Sequence, residues 1–328
     1  MNYHRGLLFW GLALITGGVV VLAAQQRYID SDWLARAWRL WPLILVAMGL
    51  SILLSRTRAA IVGTVVAALV VGTAGGALIA VGPGAFSCGG ADPTDLTTRQ
   101  GTFGDTAQVQ LDFNCGTLKV GMESERLLGA GHLWTVASGH NGRSAPTISA
   151  DSDRLEVRSP ADSWFDGGRQ RWNVSLGPAT TYALDISPNA ADTRVDLRGG
   201  TFSSVSVQPN AGSVFLDLTD AKVDNLDLSL NAGSASIVIG QGAADISGAL
   251  SVNAGSIDLC TAGAVVWRFT VEQNITFSTN LADSGFGHDG NVWSYMPPLA
   301  PGTVYSSLDL HISGNAGSFD LNPEGGCS

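Results

Sequence analysis

Asn210-Ala-Gly-Ser213, Asn231-Ala-Gly-Ser234, Asn253-Ala-Gly-Ser256 and Asn315-Ala-Gly-Ser318 are copies of one tetrapeptide. A degenerate copy, Asn189-Ala190-Ala191-Asp192, precedes them, and Asn274 falls in phase without the rest of the motif. Successive asparagines lie 21, 21, 22, 21 and 41 residues apart, so the sequence repeats a unit near 21 residues. The last interval reads as two turns of the repeat, one of them unrecognised.

Working outward from each asparagine, apolar residues occupy alternate positions on both sides. Val205 and Val207 precede Asn210 and Val214 and Leu216 follow it; Leu226, Leu228, Ala235 and Ile237 flank Asn231 in the same way. Alternation of this kind places one side of a strand against a core. Gly212, Gly233, Gly255 and Gly317 and the asparagines beside them tolerate backbone angles that other residues avoid, which suits a sharp corner between two strands. A single strand-corner-strand unit cannot bury its apolar side alone, whereas units stacked ~4.8 Å apart make a continuous core. The pattern therefore predicts a parallel β-solenoid. Extending it back through Trp172-Asn173-Val174 and Phe113-Asn114-Cys115-Gly116 gives about ten turns between residues 103 and 322, a stack on the order of 50 Å long. Residues 284–301, rich in Gly and Pro, read as a loop thrown out at the unrecognised turn.

The region before the repeat has a different composition. Of 18 basic and 28 acidic residues, six arginines and two aspartates fall in residues 1–82, and the remainder of the chain carries most of the acid. Apolar runs at 6–24, 38–54 and 59–82 contain no Asp or Glu, and each is about long enough to span ~30 Å of hydrocarbon as a helix. The expected organisation is an all-α transmembrane region of three helices (1–82), a linker (83–102), an all-β solenoid (103–322) and a tail (323–328). Arg5, Arg56 and Arg58 favour a cytoplasmic N-terminus at the bacterial cytoplasmic membrane. Three crossings would then place the solenoid outside. Gly72 and Gly76 have the spacing of a helix-pairing face and could support a homo-oligomer, with membrane lipid as the surrounding partner. An acidic domain with only Lys119 and Lys222 as lysines repels nucleic acid.

Cys88, Cys115, Cys260 and Cys327 all follow the apolar runs, an even count that suits an oxidising compartment. Cys88 and Cys115 are the pair expected to bridge, and Cys260 and Cys327 could pair through the tail. The five histidines show no ligand spacing with them, so no metal site is expected.

No nucleophile elbow, Walker loop or zincin motif occurs, and no catalytic residue or cofactor is assigned. Asp196 with Arg194 or Arg198 imitates the site of a Ca²⁺-dependent polysaccharide lyase, but such a pair on a solenoid is more often a surface ion pair. Outward aspartates at 196, 217, 227, 258, 309 and 320 read as a solvated face that weakly attracts Ca²⁺ or cationic peptides. The repeated asparagines Asn189, Asn210, Asn231, Asn253, Asn274 and Asn315 are expected to form a structural ladder rather than a ligand surface. Phe286, Trp293 and Tyr295 are the candidate recognition loop, the alternative being a lid packed on the core.

Arg5-Gly6-Leu7-Leu8-Phe9-Trp10-Gly11 and Leu40-Trp41-Pro42-Leu43-Ile44-Leu45 resemble the membrane hairpin of LiaF-type bacterial envelope proteins. The repeat region resembles the toast-rack or adhesin-type β-solenoid domains that often follow it. The resemblance implies a non-enzymatic modulator or sensor that acts with a membrane histidine kinase during envelope stress. LiaF-type proteins commonly have four membrane helices, one more than the three counted here. A structural or adhesive protein that binds envelope polymer is the alternative reading.

Overall fold

The computed structural model describes residues 11–12, 14–16, 68–69, 92–123, 132–141, 145–160, 168–240, 245–261, 265–272, 276–297 and 306–327. The chain divides into two units, Met1–Ser87 and Cys88–Ser328.

The first unit corrects the expected fold class. Among the described residues helix is confined to short pieces within 11–16 and at 68–69, no helix is long and apolar enough to cross a membrane, and the chain is nearly all β. An apolar run reports hydropathy, and it dictates a helix only through the demands of a bilayer. Most of 6–24, 38–54 and 59–82, including Gly72 and Gly76, lies outside the described residues.

Strands of the second unit, in chain order, are β1 Thr97–Thr102, β2 Thr106–Met122, β3 Leu133–His140, β4 Thr147–Ala150, β5 Arg154–Arg158, β6 Gln170–Leu176, β7 Thr181–Asp196, β8 Thr201–Val207 and β9 Ala211–Asp217. They continue with β10 Lys222–Val223, β11 Asn225–Ile239, β12 Ile246–Thr261, β13 Val265–Glu272, β14 Thr276–Thr279, β15 Gly287–Asp289, β16 Val292–Tyr295 and β17 Ser306–Leu321. Each layer has a first arm leading into the corner and a second arm leaving it. In β2, β7, β11, β12 and β17 one long strand runs through both arms.

Parallel pairing stacks eight layers among the described residues, in the order β5/β6, β2, β7, β8/β9, β11, β12, β17, β13/β14. This order departs from the sequence at both ends. The first long strand, β2, lies inside the later β5/β6 layer. The last, β17, is inserted between β12 and β13/β14. The 41-residue interval is therefore not two turns stacked in sequence, and the described residues build eight layers where ten turns were expected. Alternating side chains fix which side of a strand is buried but not which strand lies next to it.

Antiparallel strands cover the ends. β3 pairs with β6 and β1 with β3, while β4 pairs with β5. At the other end β16 pairs with β13 and β15 with β16. These additions protect edges that would otherwise offer unpaired backbone to another chain. They also explain why residues 103–180 lack the regular repeat: part of that stretch builds a cap.

Inward positions of both arms meet in one apolar cluster. Leu184, Leu226, Leu250 and Leu310 enter from the first arm and Leu216, Ile237, Leu259 and Phe319 from the second, all at most 1% exposed. Burying each such side chain contributes about 1.5–3 kcal/mol relative to exposure.

Candidate functional site

At the corners, side-chain amides are joined from layer to layer. Asn189 Nδ2 donates to Asn114 Oδ1 at 2.8 Å, and Asn210 donates to Asn189. Asn231 donates to Asn210 at 2.7 Å, Asn253 to Asn231 at 2.8 Å and Asn315 to Asn253 at 2.7 Å. Every internal amide both gives and receives a bond, so each layer is registered against the next. The ladder passes from Asn253 directly to Asn315, in keeping with the inserted β17, and Asn274 lies outside the described residues. Asn173, read from sequence as a corner, sits within the second arm in β6. Its neighbours alternate as those of a corner asparagine do, but no glycine follows it.

The corner glycines stack beside the ladder, and the structure corrects the expectation of a break between two strands. Gly233, Gly255 and Gly317 lie inside the continuous strands β11, β12 and β17, which bend at the corner without ending. Pairing of β11 with β12 and of β12 with β17 continues through the bend, so the ladder of backbone bonds is kept between those layers. Gly212, Gly233 and Gly255 have positive φ, whereas Gly317 does not adopt the left-handed backbone expected of it. What Gly317 shares with the others is close approach. A Cβ on Gly255 would fall 1.9 Å from the carbonyl oxygen of Gly233, and one on Gly317 would fall 2.2 Å from that of Gly255. Its glycine is therefore required by the neighbouring layer and not by its own φ.

The tail is tied back to the stack by a disulfide between Cys260, at the end of β12, and Cys327. Cys115 is disulfide-bonded as well. Cys88, its expected partner, lies outside the described residues.

The three aromatic residues of the candidate recognition loop have different environments. Phe286 is 9% exposed and stacks on Phe269 with ring centroids 5.6 Å apart. Trp293, on β16, packs partly against the core beside His288, and Tyr295 is 36% exposed with its ring 5.5 Å from Phe286. Together with Trp267, Asn280, Pro323 and Glu324, Phe286 and Tyr295 line a groove of about 540 Å³. The loop therefore both caps the core and offers one open aromatic edge. A second groove, of about 600 Å³, lies at the opposite end between Arg99, Trp134, Ile148 and Asp151.

Asp196, the acid of the lyase-like pair, is engaged by Arg198, whose Nε donates to Oδ1 at 2.7 Å and whose Nη2 bonds Oδ2. Those bonds hold the Asp196 carboxyl below the usual carboxylate range. Arg198 also lies 3.7 Å from Asp217, and Arg194 turns away to cover the Phe215 ring, 4.5 Å from its centroid. Among the described residues no group of three or more His, Cys, Asp or Glu side chains is placed to hold a metal.

Asp185 behaves differently. Its Oδ1 is buried without a hydrogen-bond partner, and burial, followed by repulsion from Asp112, raises its pKa above 3.8. An acid raised in the folded state destabilises the fold when ionised; that penalty is present above the folded value and absent below the unfolded one. Asp185→Asn should thus stabilise the protein at pH 7, by at most about 1 kcal/mol because the group is partly solvated, and the gain should vanish below pH 3.8. Thermal unfolding of both forms across that range measures it; a gain that persists in acid would assign the effect to packing.

Residues 96–240 match the family described as the N-terminal domain of toast_rack, DUF2154. Residues 8–53 match the LiaI-LiaF-like transmembrane region. The chain joins a LiaF-type membrane region to a toast-rack domain. It is accordingly a membrane protein, and its toast-rack match begins just before β1 and ends after β11. Among solved structures, a candidate cell adhesion protein from Clostridium sporogenes ATCC 15579 is 14% identical, with 69% of this chain and 99% of that chain covered and a TM-score of 0.46. A candidate adhesin from Bacteroides fragilis NCTC 9343 is 13% identical, with 71% and 100% covered and a TM-score of 0.27. Another, from Parabacteroides merdae ATCC 43184, is 14% identical, with 71% and 84% covered and a TM-score of 0.29. No curated protein matches.

Proposed function

We infer that this protein is a non-enzymatic modulator of envelope-stress signalling, in which the toast-rack stack is a binding module that works with a membrane histidine kinase. What carries the reading is the presence in one chain of a LiaI-LiaF-like transmembrane region and a toast-rack domain. The layered domain suits binding rather than chemistry: its repeated polar groups satisfy one another in the asparagine ladder, and its Asp/Arg pair is closed on itself. A multi-pass anchor with the stack outside the cytoplasmic membrane completes the proposal, in keeping with cysteines held as disulfides.

The test combines gene deletion with purification of the tagged full-length protein from membranes. Loss of the gene should change envelope-stress gene expression, and a histidine kinase should co-purify. Unchanged expression with no kinase recovered would refute the signalling role. Weakened attachment to cells or envelope polymer under those conditions would establish the adhesive function instead.

A further inference from the structure

The outer face of the second arm carries a row of side chains whose charge reverses along the stack. Register places Lys119 beside Arg194, Arg194 beside Phe215, Phe215 beside Ser236, Ser236 beside Asp258 and Asp258 beside Asp320. Two cations, two uncharged residues and two anions thus follow one another at ~4.8 Å intervals. Like charges directly opposite on neighbouring strands oppose pairing, yet this row holds such a contact at each end. Lys119 and Arg194 make no ion pair among the described residues, and neither do Asp258 and Asp320. Arg194 is exposed, with its guanidinium carbon 4.5 Å from the centroid of the Phe215 ring. At the opposite end, burial and then the neighbouring Asp320 raise the Asp258 pKa, so this acid gains from a cation brought close to it.

The row is complementary to its own reverse. Turned by 180° about an axis along the strands, between Phe215 and Ser236, the sequence of charges meets itself with every sign opposed. A closed two-fold interface uses the same patch on both subunits, and this pattern meets that requirement. One flanking row runs Thr117, Asp192, Ser213, Ser234, Ser256 and Ser318 in register, and its four serines allow close approach at their layers.

We propose that two copies of this chain pair through the outer faces of their second arms, with the stacks antiparallel. Lys119 and Arg194 of each copy then lie opposite Asp320 and Asp258 of the other, and Phe215 lies opposite Ser236. The pairing does not depend on the signalling role proposed above, and it is separate from any contact made within the membrane region.

Full-length protein carrying Ser236→Cys, in native membranes, tests this with a bis-maleimide reagent of about 10 Å reach, the usual separation of packed sheets. The described native cysteines are disulfide-bonded and do not compete. A cross-linked dimer is expected. In that background Arg194→Glu or Asp258→Arg should each reduce cross-linking about tenfold, since each sets two like-charge contacts against each other across the interface. Carrying both substitutions in one chain should restore the dimer, as should co-expressing the two single variants, which pair only with each other. Absence of the cross-link in the Ser236→Cys protein, equal cross-linking in all variants, or loss that neither combination restores would overturn the proposal. Equal cross-linking is the result expected if the membrane region alone brought the copies together. Restoration by the charge swap also separates a change in pairing from a failure to fold.

Discussion

Gly233→Ala is expected to destabilise the stack by about 3 kcal/mol, more than removal of any single amide from the neighbouring ladder. Gly233 has φ of 122°, and a Cβ built on it falls 2.0 Å from the carbonyl oxygen of Gly212 in the preceding layer. That oxygen cannot retreat cheaply. Both layers are held by parallel pairing on either side of the corner, and moving the backbone would draw Val214, Leu216, Ala235 and Ile237 out of register. By comparison, a neutral hydrogen bond such as those of Asn231 contributes about 0.5–1.5 kcal/mol. Gly199 supplies the control, because its φ is 71° but a Cβ there meets nothing within 4 Å. Gly199→Ala should therefore show only the backbone cost, about 1 kcal/mol. Denaturant unfolding of the two variants isolates the contribution of layer contact as their difference. Equal effects would mean that the corner can relax to the form taken at Ala191, where an alanine occupies the same place in β7.

These corners were legible before any coordinates because a glycine that almost touches the next layer recurs at Gly212, Gly233, Gly255 and Gly317, and its asparagine with it. The motif could not say whether a glycine serves its own φ or its neighbour's backbone, which is why Gly317 departs from the expected conformation while keeping its place. Alternation around the corners was equally direct: Leu226, Leu228 and Ile237 point inward as their spacing requires. The stacking order was not legible. Residues 106–122 and 306–321 carry the same strand-corner-strand pattern as their neighbours, and nothing in that pattern states which layer each will join. Insertion of β2 and β17 depends on contacts between segments far apart in the chain. The row from Lys119 to Asp320 was hidden for the same reason, since its six members become adjacent only after the register is known. In the N-terminal region the signal was hydropathy alone, which marked a membrane segment without establishing its helices. The capping strands were missed because β1, β4 and β15 are short and mostly exposed, so they leave little alternation to read.

Deleting residues 306–328 should cost far more than one layer of a linear repeat, because β17 lies between layers rather than at an end. Its inward residues Leu308, Leu310, Ile312, Phe319 and Leu321 are at most 4% exposed. At about 1.5–3 kcal/mol each, their burial represents roughly 10 kcal/mol, comparable with the whole stability of many domains. The loss then spreads in both directions. Among the described residues β13 and β14 take their parallel pairing from β17 alone, and β16 and β15 are attached through β13, so β13 to β16 lose their support. On the other side β12 becomes an edge strand, and Cys260 loses its disulfide partner Cys327. Repeat proteins can unfold by neighbouring units, and among the described residues no strand from β2 to β9 pairs with β17. Limited proteolysis of the truncated protein in membranes should therefore cut rapidly within β13 to β16 while β2 and β5 to β9 stay protected. If β13 to β16 instead remained as resistant as in the full chain, β13 would have to dock on β12 directly, and the inserted strand would be dispensable to the order of the stack. Phe319→Ala provides a milder form of the same test. It removes the ring 5.7 Å from Phe269 and should destabilise by about 3–5 kcal/mol, with protection lost first in β13 and β14.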